Sequence, residues 1–187
     1  FFIKVKNKTF SKNLQSDKSN VDLIMKLMLD FLEENKLSLD ELEAILVNIG
    51  PGSYSGLRGS LATAKGICLS KNLKLFAYDN FIWSGAKFFG KKDNIYSLLK
   101  VRDKYFFKKF EKNLSNPSEI KEISKNEIIK KFGDKFKVIP KSISKYFDKK
   151  ILELNNIHIV NLDHNELEFL CLKGLLKKDL IKPLYLS

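Results

Sequence analysis

The sequence predicts an α/β fold, because helical and strand patterns alternate along the chain. Residues 44–49 form a run that is apolar apart from Asn48, which is typical of a strand buried on both faces of a parallel sheet, and residues 73–78 predict another buried strand. Between them, residues 56–70 have the spacing of apolar side chains that indicates a helix. The 187 residues are 44% hydrophobic and 12% aromatic, which provides for a core and excludes a disordered chain.

The N-terminal part begins with a predicted hairpin, in which residues 1–5 and 9–14 flank Lys6-Asn7-Lys8. Two capping boxes follow, each with a serine three residues before an acid, so that both side chains satisfy free amide groups at a helix start. The first box predicts a helix over 19–34, and the second predicts a short helix from Ser38.

Beyond residue 80 the predicted elements become shorter. Residues 95–101 and 105–110 predict a hairpin that turns at Arg102-Asp103-Lys104. The other elements are helices at 81–89, 126–132, 142–147 and 165–176, and strands at 137–139 and 157–160. The change to shorter predicted elements near Gly90 predicts two subdomains, an N-terminal one over 1–89 and a smaller α/β one over 90–187.

The net charge of +12 raises the question of a nucleic-acid partner. Arg58 and Arg102 are the only arginines in the sequence, and such an excess of lysine is what an AT-rich coding sequence would produce. We interpret the charge mainly as solvated surface, with polyanion binding as the alternative. No apolar run approaches the ~20 residues of a membrane-spanning helix. Cys68 and Cys171 provide neither a disulfide framework nor a zinc motif, which favours a reducing, cytoplasmic location.

One segment, Gly50-Pro51-Gly52-Ser53-Tyr54-Ser55-Gly56-Leu57-Arg58, joins a predicted buried strand to a helix. Free amide groups and the helix dipole at such a place can hold an anion. The segment matches neither the Walker pattern, since Leu57-Arg58 follow Gly56, nor the dinucleotide fingerprint, whose glycine spacing differs. A purely structural strand-to-helix turn is the alternative.

Two predicted helices have two sides suited to packing. On the helix after the glycine-rich segment, small residues lie opposite the apolar Leu57, Leu61, Ala64 and Cys68. Glycine inside a helix costs roughly 1 kcal/mol relative to alanine, which close approach of another helix would explain. Apolar residues of the 19–34 helix cover about 240°, against the ~100° that packing on one sheet requires, unless that helix is deeply buried. The predicted partner surface comprises Leu23, Met25, Leu27, Leu29, Gly59, Thr63, Gly66 and Ser70.

The glycine-rich segment, with Leu61-Ala62-Thr63-Ala64-Lys65-Gly66 after it, resembles the signature of the TsaB/YeaZ family, the bacterial tRNA threonylcarbamoyladenosine biosynthesis proteins of the glycoprotease-like superfamily (peptidase M22-type). Tyr54 and Ser55 depart mildly from the usual Phe-Thr. Pro183-Leu184-Tyr185-Leu186 and Val101-Arg102 are also similar to the family. The resemblance is specific over about residues 15–80 and loose elsewhere.

The resemblance implies an actin/Hsp70-like (ribonuclease H-like) fold of two subdomains. It also implies a non-catalytic partner of the TsaD-type transferase, which forms threonylcarbamoyladenosine on the anticodon-adjacent adenosine of tRNA. A TsaE-like ATPase joins that complex, ATP and a metal belong to it, and a homodimer is an alternative pairing. The family's first strand, which ends in Asp-Thr-Ser, has no counterpart here, and Lys18-Ser19-Asn20 replaces its usual helix start. The implied signature loop comprises Gly50, Pro51, Gly52, Ser53, Ser55, Gly56 and Arg58.

We predict no catalytic residue and no metal ligand or cofactor site in this chain. His158 and His164 do not have the spacing of the His-x-x-x-His metal pair that the resemblance implies for the transferase. Ser53 or Ser55 as a nucleophile would need a positioned base, and a capping role is the simpler interpretation. The alternative functions are an independent ATP-binding or hydrolysing enzyme of the same fold and a basic tRNA-binding module.

Overall fold

Helices and strands alternate along the chain, as the sequence predicted. The computed structural model describes residues 2–5, 8–12, 23–112, 114 and 118–186. The strands in this part of the chain are β1 (Phe2–Val5), β2 (Lys8–Ser11), β3 (Ala44–Asn48), β4 (Lys74–Tyr78), β5 (Asn94–Val101), β6 (Lys104–Glu111), β7 (Lys121–Ile123), β8 (Lys137–Pro140) and β9 (Ile157–Val160). The helices are α1 (Ile24–Glu34), α2 (Tyr54–Lys71), α3 (Asn80–Gly85), α4 (Lys125–Phe132), α5 (Lys141–Ser144), α6 (Lys149–Leu152) and α7 (His164–Leu172).

The first of two compact units contains residues 1–79 and 176–185. β3 pairs with β4 in parallel, in register from Ala44 opposite Lys74 to Asn48 opposite Tyr78, while β1 and β2 form an antiparallel hairpin. α2 packs on this parallel pair because one side of the helix is apolar. The core contains Val47, Ile49, Leu61, Ala64, Ala77 and Ile181.

The second unit contains residues 80–175 and is built on a five-stranded sheet in the order β7-β6-β5-β8-β9. β5, β6 and β7 pair antiparallel, whereas β5, β8 and β9 run parallel. A long antiparallel hairpin therefore continues directly into a parallel α/β arrangement. The core contains Leu98, Tyr105, Ile123, Ile128, Phe132, Ile139, Phe147 and Ile151.

Most predicted elements are confirmed, with differences at their ends. The capping box at Ser38 is present, with the Ser38 amide donating to Glu41 Oε2 at 2.8 Å, but it opens a single 3₁₀ turn over Leu39–Glu41. The last helix ends at Leu172, because Gly174 adopts a φ of +67° shortly after it. β7 and α6 were not predicted, since three- and four-residue elements are too short for a periodic signal. The box at Ser19 lies outside the described residues.

The two compact units divide between Asp79 and Asn80, and residues 176–185 belong to the first of them. This division lies about ten residues before the subdomain boundary predicted near residue 90, which stays a prediction. In the described ranges, no helix is both long enough and apolar enough to cross a membrane.

Candidate functional site

The glycine-rich segment forms the connection between β3 and α2. The Gly50 amide donates to the Asn48 Oδ1 atom at 2.8 Å, and Gly50 has a φ of +110°. A Cβ atom at Gly50 would lie 2.9 Å from Leu57 Cδ1 and 3.1 Å from the Leu184 carbonyl oxygen. Both the backbone conformation and the lack of space therefore require glycine at this position.

Ser53 caps the N-terminus of α2. Its Oγ atom accepts a hydrogen bond from the Gly56 amide at 3.2 Å, which satisfies one of the free amide groups of the first turn. A Cβ atom at Gly56 would lie only 2.6 Å from the same Oγ atom, so a side chain at this position would clash with the capping serine. This geometry supports the prediction of a capping serine, and Ser55 lies exposed beside it.

The C-terminal segment packs against the start of α2. The Leu184 amide donates to the Ile49 carbonyl oxygen at 2.7 Å, and the ring of Tyr185 stacks on that of Tyr54 at 5.2 Å between centroids. Arg58 donates to the Tyr54 hydroxyl, and its guanidinium lies 5.1 Å from the centroid of the same ring. Tyr54 and Tyr185 were missed as site residues, although the Tyr54 departure from the family's usual Phe was a signal.

The two sides of α2 are as predicted. Its buried residues are Leu57, Leu61, Ala64, Ile67 and Cys68, and burial raises the pKa of the Cys68 thiol. On the opposite side, Gly66 and Ser70 are exposed, and a Cβ atom at Gly66 would meet nothing within 4 Å. Gly59 and Thr63, on the same side, are half-buried. The glycine-bearing side of α2 is therefore most open toward its C-terminal half.

α1 has an exposed apolar side that accounts for its broad apolar arc. Its buried residues are Phe31 and Leu32 alone, whereas Leu23, Met25 and Leu29 are 44%, 40% and 41% exposed. Leu27 is half-buried. The alternative of a helix buried deep in its own domain is wrong, since a deeply buried helix would not leave three large apolar side chains in solvent. We call the predicted partner surface the helix-pair surface. It comprises Leu23 at the N-cap of α1, Met25, Leu27 and Leu29 of α1, and Gly59, Thr63, Gly66 and Ser70 of α2.

Both histidines lie in the second unit, and His158 belongs to its packing. The His158 ring stacks on Phe136 at 4.1 Å and lies 5.5 Å from Phe88. Burial, with Lys92 and Lys137 nearby, holds the pKa of His158 below its usual value. In the part of the chain that the structure describes, no group of three histidine, cysteine, aspartate or glutamate side chains could hold a metal ion.

Known proteins are similar in sequence to part of this chain. Residues 14–84 match the family model described as TsaD, tRNA N6-adenosine threonylcarbamoyltransferase. The tRNA threonylcarbamoyladenosine biosynthesis protein TsaB of Buchnera aphidicola subsp. Baizongia pistaciae is 34% identical over 68 residues, which make up 36% of this chain and 31% of that protein. The match thus spans under a third of the curated relative's length.

Two solved structures from Pseudomonas aeruginosa share the fold. One, of a protein with similarity to the peptidase YeaZ, has a TM-score of 0.69 and covers 100% of this chain and 93% of its own. The other, YeaZ itself, has a TM-score of 0.67 and covers 99% and 92%. At 11% identity these likenesses show the fold alone, and they confirm the predicted actin/Hsp70-like class. The sequence similarity of part of the chain and the shared fold together support the predicted resemblance to TsaB and YeaZ proteins.

Proposed function

We propose that this chain takes part in threonylcarbamoyladenosine formation on tRNA as the non-catalytic partner of a TsaD-type transferase. Residues 14–84, which match the TsaD family model, contain the signature loop and the whole helix-pair surface. In this proposal the ATP and the metal ion belong to the partner complex, a TsaE-like ATPase is its third member, and tRNA is held by the whole assembly. Two free cysteines suit a cytoplasmic complex.

The observation that carries the proposal is the helix-pair surface. Large apolar side chains of α1, Leu23, Met25 and Leu29, stand in solvent, while Gly66 of α2 leaves open space for a neighbouring backbone. Exposed apolar side chains on one helix and an open small-residue side on another are both suited to close packing with helices of a second chain. A paralogue of the same fold is the occupant we assign to it, and a second copy of this chain is the alternative that the experiment separates.

The signature loop has a structural role in this proposal. Gly50 and Ser53 fix the first turn of α2, and the bond from Leu184 to Ile49 holds the loop from the C-terminal segment. Because these contacts fix the start of α2, they also set the direction in which its small-residue side faces. The Ser53 Oγ atom accepts from the Gly56 amide, which supports a capping role for this serine rather than a nucleophilic one.

Co-purification with the TsaD-type protein of the same source tests the proposal. The full chain is expressed with a tag beside that protein, and the complex is isolated and assayed for threonylcarbamoyl transfer to unmodified tRNA. We expect a heterodimer that transfers the group, and no transfer or ATP hydrolysis by this chain alone. Transfer or steady ATP turnover by the chain without its partner would contradict the proposal and favour an independent enzyme. A stable homodimer that excludes the transferase would contradict it as well.

A further inference from the structure

Lysines gather on one short segment of the second unit. Lys141 and Lys145 belong to α5 and its C-terminus, and Lys149 and Lys150 open α6. All four are exposed, and Tyr146 between them is 57% exposed, with Lys145 Nζ 5.0 Å from its ring centroid. We call these five residues the lysine patch.

The backbone of the lysine patch is anchored to the core of the second unit. Phe147 and Ile151 are buried in the core of the unit, and the Phe147 ring lies 5.3 Å from that of Tyr105. Lys100 Nζ donates to the Tyr146 carbonyl oxygen at 2.9 Å and so ties the turn between α5 and α6 to β5. The backbone that carries the lysines is therefore packed against the core of the unit.

The patch lysines form no close ion pair with a described carboxylate, although the charge of Lys150 acts on Asp148. Asp148 is the one acid in the sequence from 141 to 150. It accepts from the Lys150 amide at 2.9 Å and pairs with Lys125, which holds the pKa of its carboxyl below the usual value. None of the four patch lysines forms an ion pair with any described residue. Some lysines elsewhere have carboxylate partners at 2.6–3.4 Å, and others, such as Lys65 and Lys74, have no ion pair with a described residue. The paired ones are Lys12, Lys71, Lys104, Lys109, Lys112 and Lys131.

Asp148 already caps α6, a single turn that begins with Lys149 and Lys150. An exposed tyrosine among lysines without ion pairs combines charge for a phosphate chain with a ring on which a base can stack.

We propose that the lysine patch binds the phosphate backbone of tRNA, with Tyr146 in contact with an unstacked base or a ribose. The inference rests on the proposed function, which makes tRNA the nucleic acid that this chain meets. A lipid surface fits the patch less well, because α5 and α6 have four residues each. The side chains of Phe147, between the two helices, and of Ile151, in α6, are buried in the core.

Fluorescence anisotropy with unmodified, in vitro transcribed tRNA tests the patch on the full chain. One variant replaces Lys141, Lys145, Lys149 and Lys150 by glutamine. The matched control replaces four exposed lysines that are dispersed along the chain and have no ion pair with a described residue, Lys65, Lys74, Lys91 and Lys173. A third variant is Tyr146→Ala. Each is titrated between about 50 and 200 mM salt, where phosphate contacts dominate the affinity.

We expect the patch variant to bind at least about tenfold more weakly at low salt and to lose about two to four units of salt slope, against about twofold for the control. Tyr146→Ala is expected to weaken binding by about three- to tenfold with an unchanged slope. Equal losses in both quadruple variants would overturn the proposal, since the charge would then act only as a diffuse surface.

Phosphatidylcholine vesicles that contain phosphatidylserine provide the second arm. Loss of vesicle binding in the patch variant, with tRNA binding intact, would overturn the proposal in favour of a membrane surface. Failure of the patch is also distinguishable from failure of the proposed function, because co-purification with the transferase does not depend on these lysines. A patch variant that keeps both partner binding and tRNA affinity would overturn the role of the patch and leave the proposed function standing.

Discussion

The Leu184 amide donates to the carbonyl oxygen of Ile49 at 2.7 Å, and this bond joins the C-terminal segment to the end of β3. The carbonyl oxygen of the same Leu184 would lie 3.1 Å from a Cβ atom at Gly50, and Leu57 closes the other side. The turn before α2 is thus held between the helix that it starts and a segment more than a hundred residues later. We therefore infer that the signature loop has a structural role, which is to fix the direction of α2. We call this role the structural joint.

Gly50→Ala should destabilise the isolated chain by about 2 kcal/mol or more. A φ of +110° is unfavourable for an L-residue, and the added methyl would lie 2.9 Å from Leu57 Cδ1. Gly52→Ala is the matched control, because its Cβ would make ordinary contact at 3.5 Å with Leu57 Cδ2. Urea unfolding of both variants measures the difference. Equal stability of the two would contradict the structural joint.

Ser53→Ala should cost about 1 kcal/mol, and Ser53→Asp should retain most of the parent stability, because aspartate also accepts from the amides of the first turn. Both variants should still support tRNA modification in the complex with the transferase, apart from losses due to unfolding. Urea unfolding and the transfer assay measure these effects. A well-folded Ser53→Asp chain that abolishes transfer would show that the hydroxyl has a chemical role.

The helix faces could be predicted because they follow from local periodicity, whereas the long-range contacts could not. Leu57, Leu61 and Cys68 recur at helical spacing, so the sequence alone was enough to predict their shared burial. The stacking of Tyr54 on Tyr185 joins residues far apart in the sequence, and no period links them. Short elements such as β7 are decided by their pairing partner rather than by their own composition.

Lys137 shows the same limit in the second unit. The strand 137–139 was predicted from its apolar residues, yet its first side chain is a fully buried lysine. Its Nζ atom donates to the carbonyl oxygens of Phe132, Gly133 and Lys135, with the latter two at 2.9 and 2.7 Å. The lysine thus satisfies the carbonyl groups at the C-terminus of α4, which a strand pattern does not reveal.

Lys137→Met should lower the free energy of unfolding by about 2–4 kcal/mol, because the buried carbonyl oxygens lose their donor although the side-chain volume is similar. The matched control is Lys135→Met, which makes the same replacement at an exposed side chain of the same turn. Urea unfolding at pH 7 measures both variants. A loss below about 0.5 kcal/mol in Lys137→Met would contradict the capping role.

The same lysine predicts a pH dependence above neutrality. Burial lowers the pKa of Lys137 to about 8 in the folded chain, against 10.5 as its ordinary value. Between these values the unfolded chain binds the proton more tightly, so the stability due to this group rises as the pH increases from about 8 to 10.5. Urea unfolding across that range should show the rise in the parent and lose it in Lys137→Met. Parallel profiles in the two proteins would contradict the assignment.

Gly66→Leu should abolish assembly with the TsaD-type partner and leave the isolated chain folded. The added side chain would enter open space, since no atom lies within 4 Å of a Cβ atom there, and replacing glycine favours the helix by several tenths of a kcal/mol. Gly66 is a sharper test than Gly59, which is half-buried. In the complex, the leucine would hold two helices apart and remove several contacts at once.

The expected result for Gly66→Leu is therefore an unchanged or raised melting temperature together with lost co-purification. Lys130→Leu is the matched control, because it adds the same leucine to an exposed position of α4 in the second unit, outside the helix-pair surface. Thermal unfolding followed by circular dichroism and capture of the tagged chain measure the two effects. If Gly66→Leu unfolds the chain, the glycine serves its own core, and if it still captures the transferase, the helix-pair surface is not the docking face.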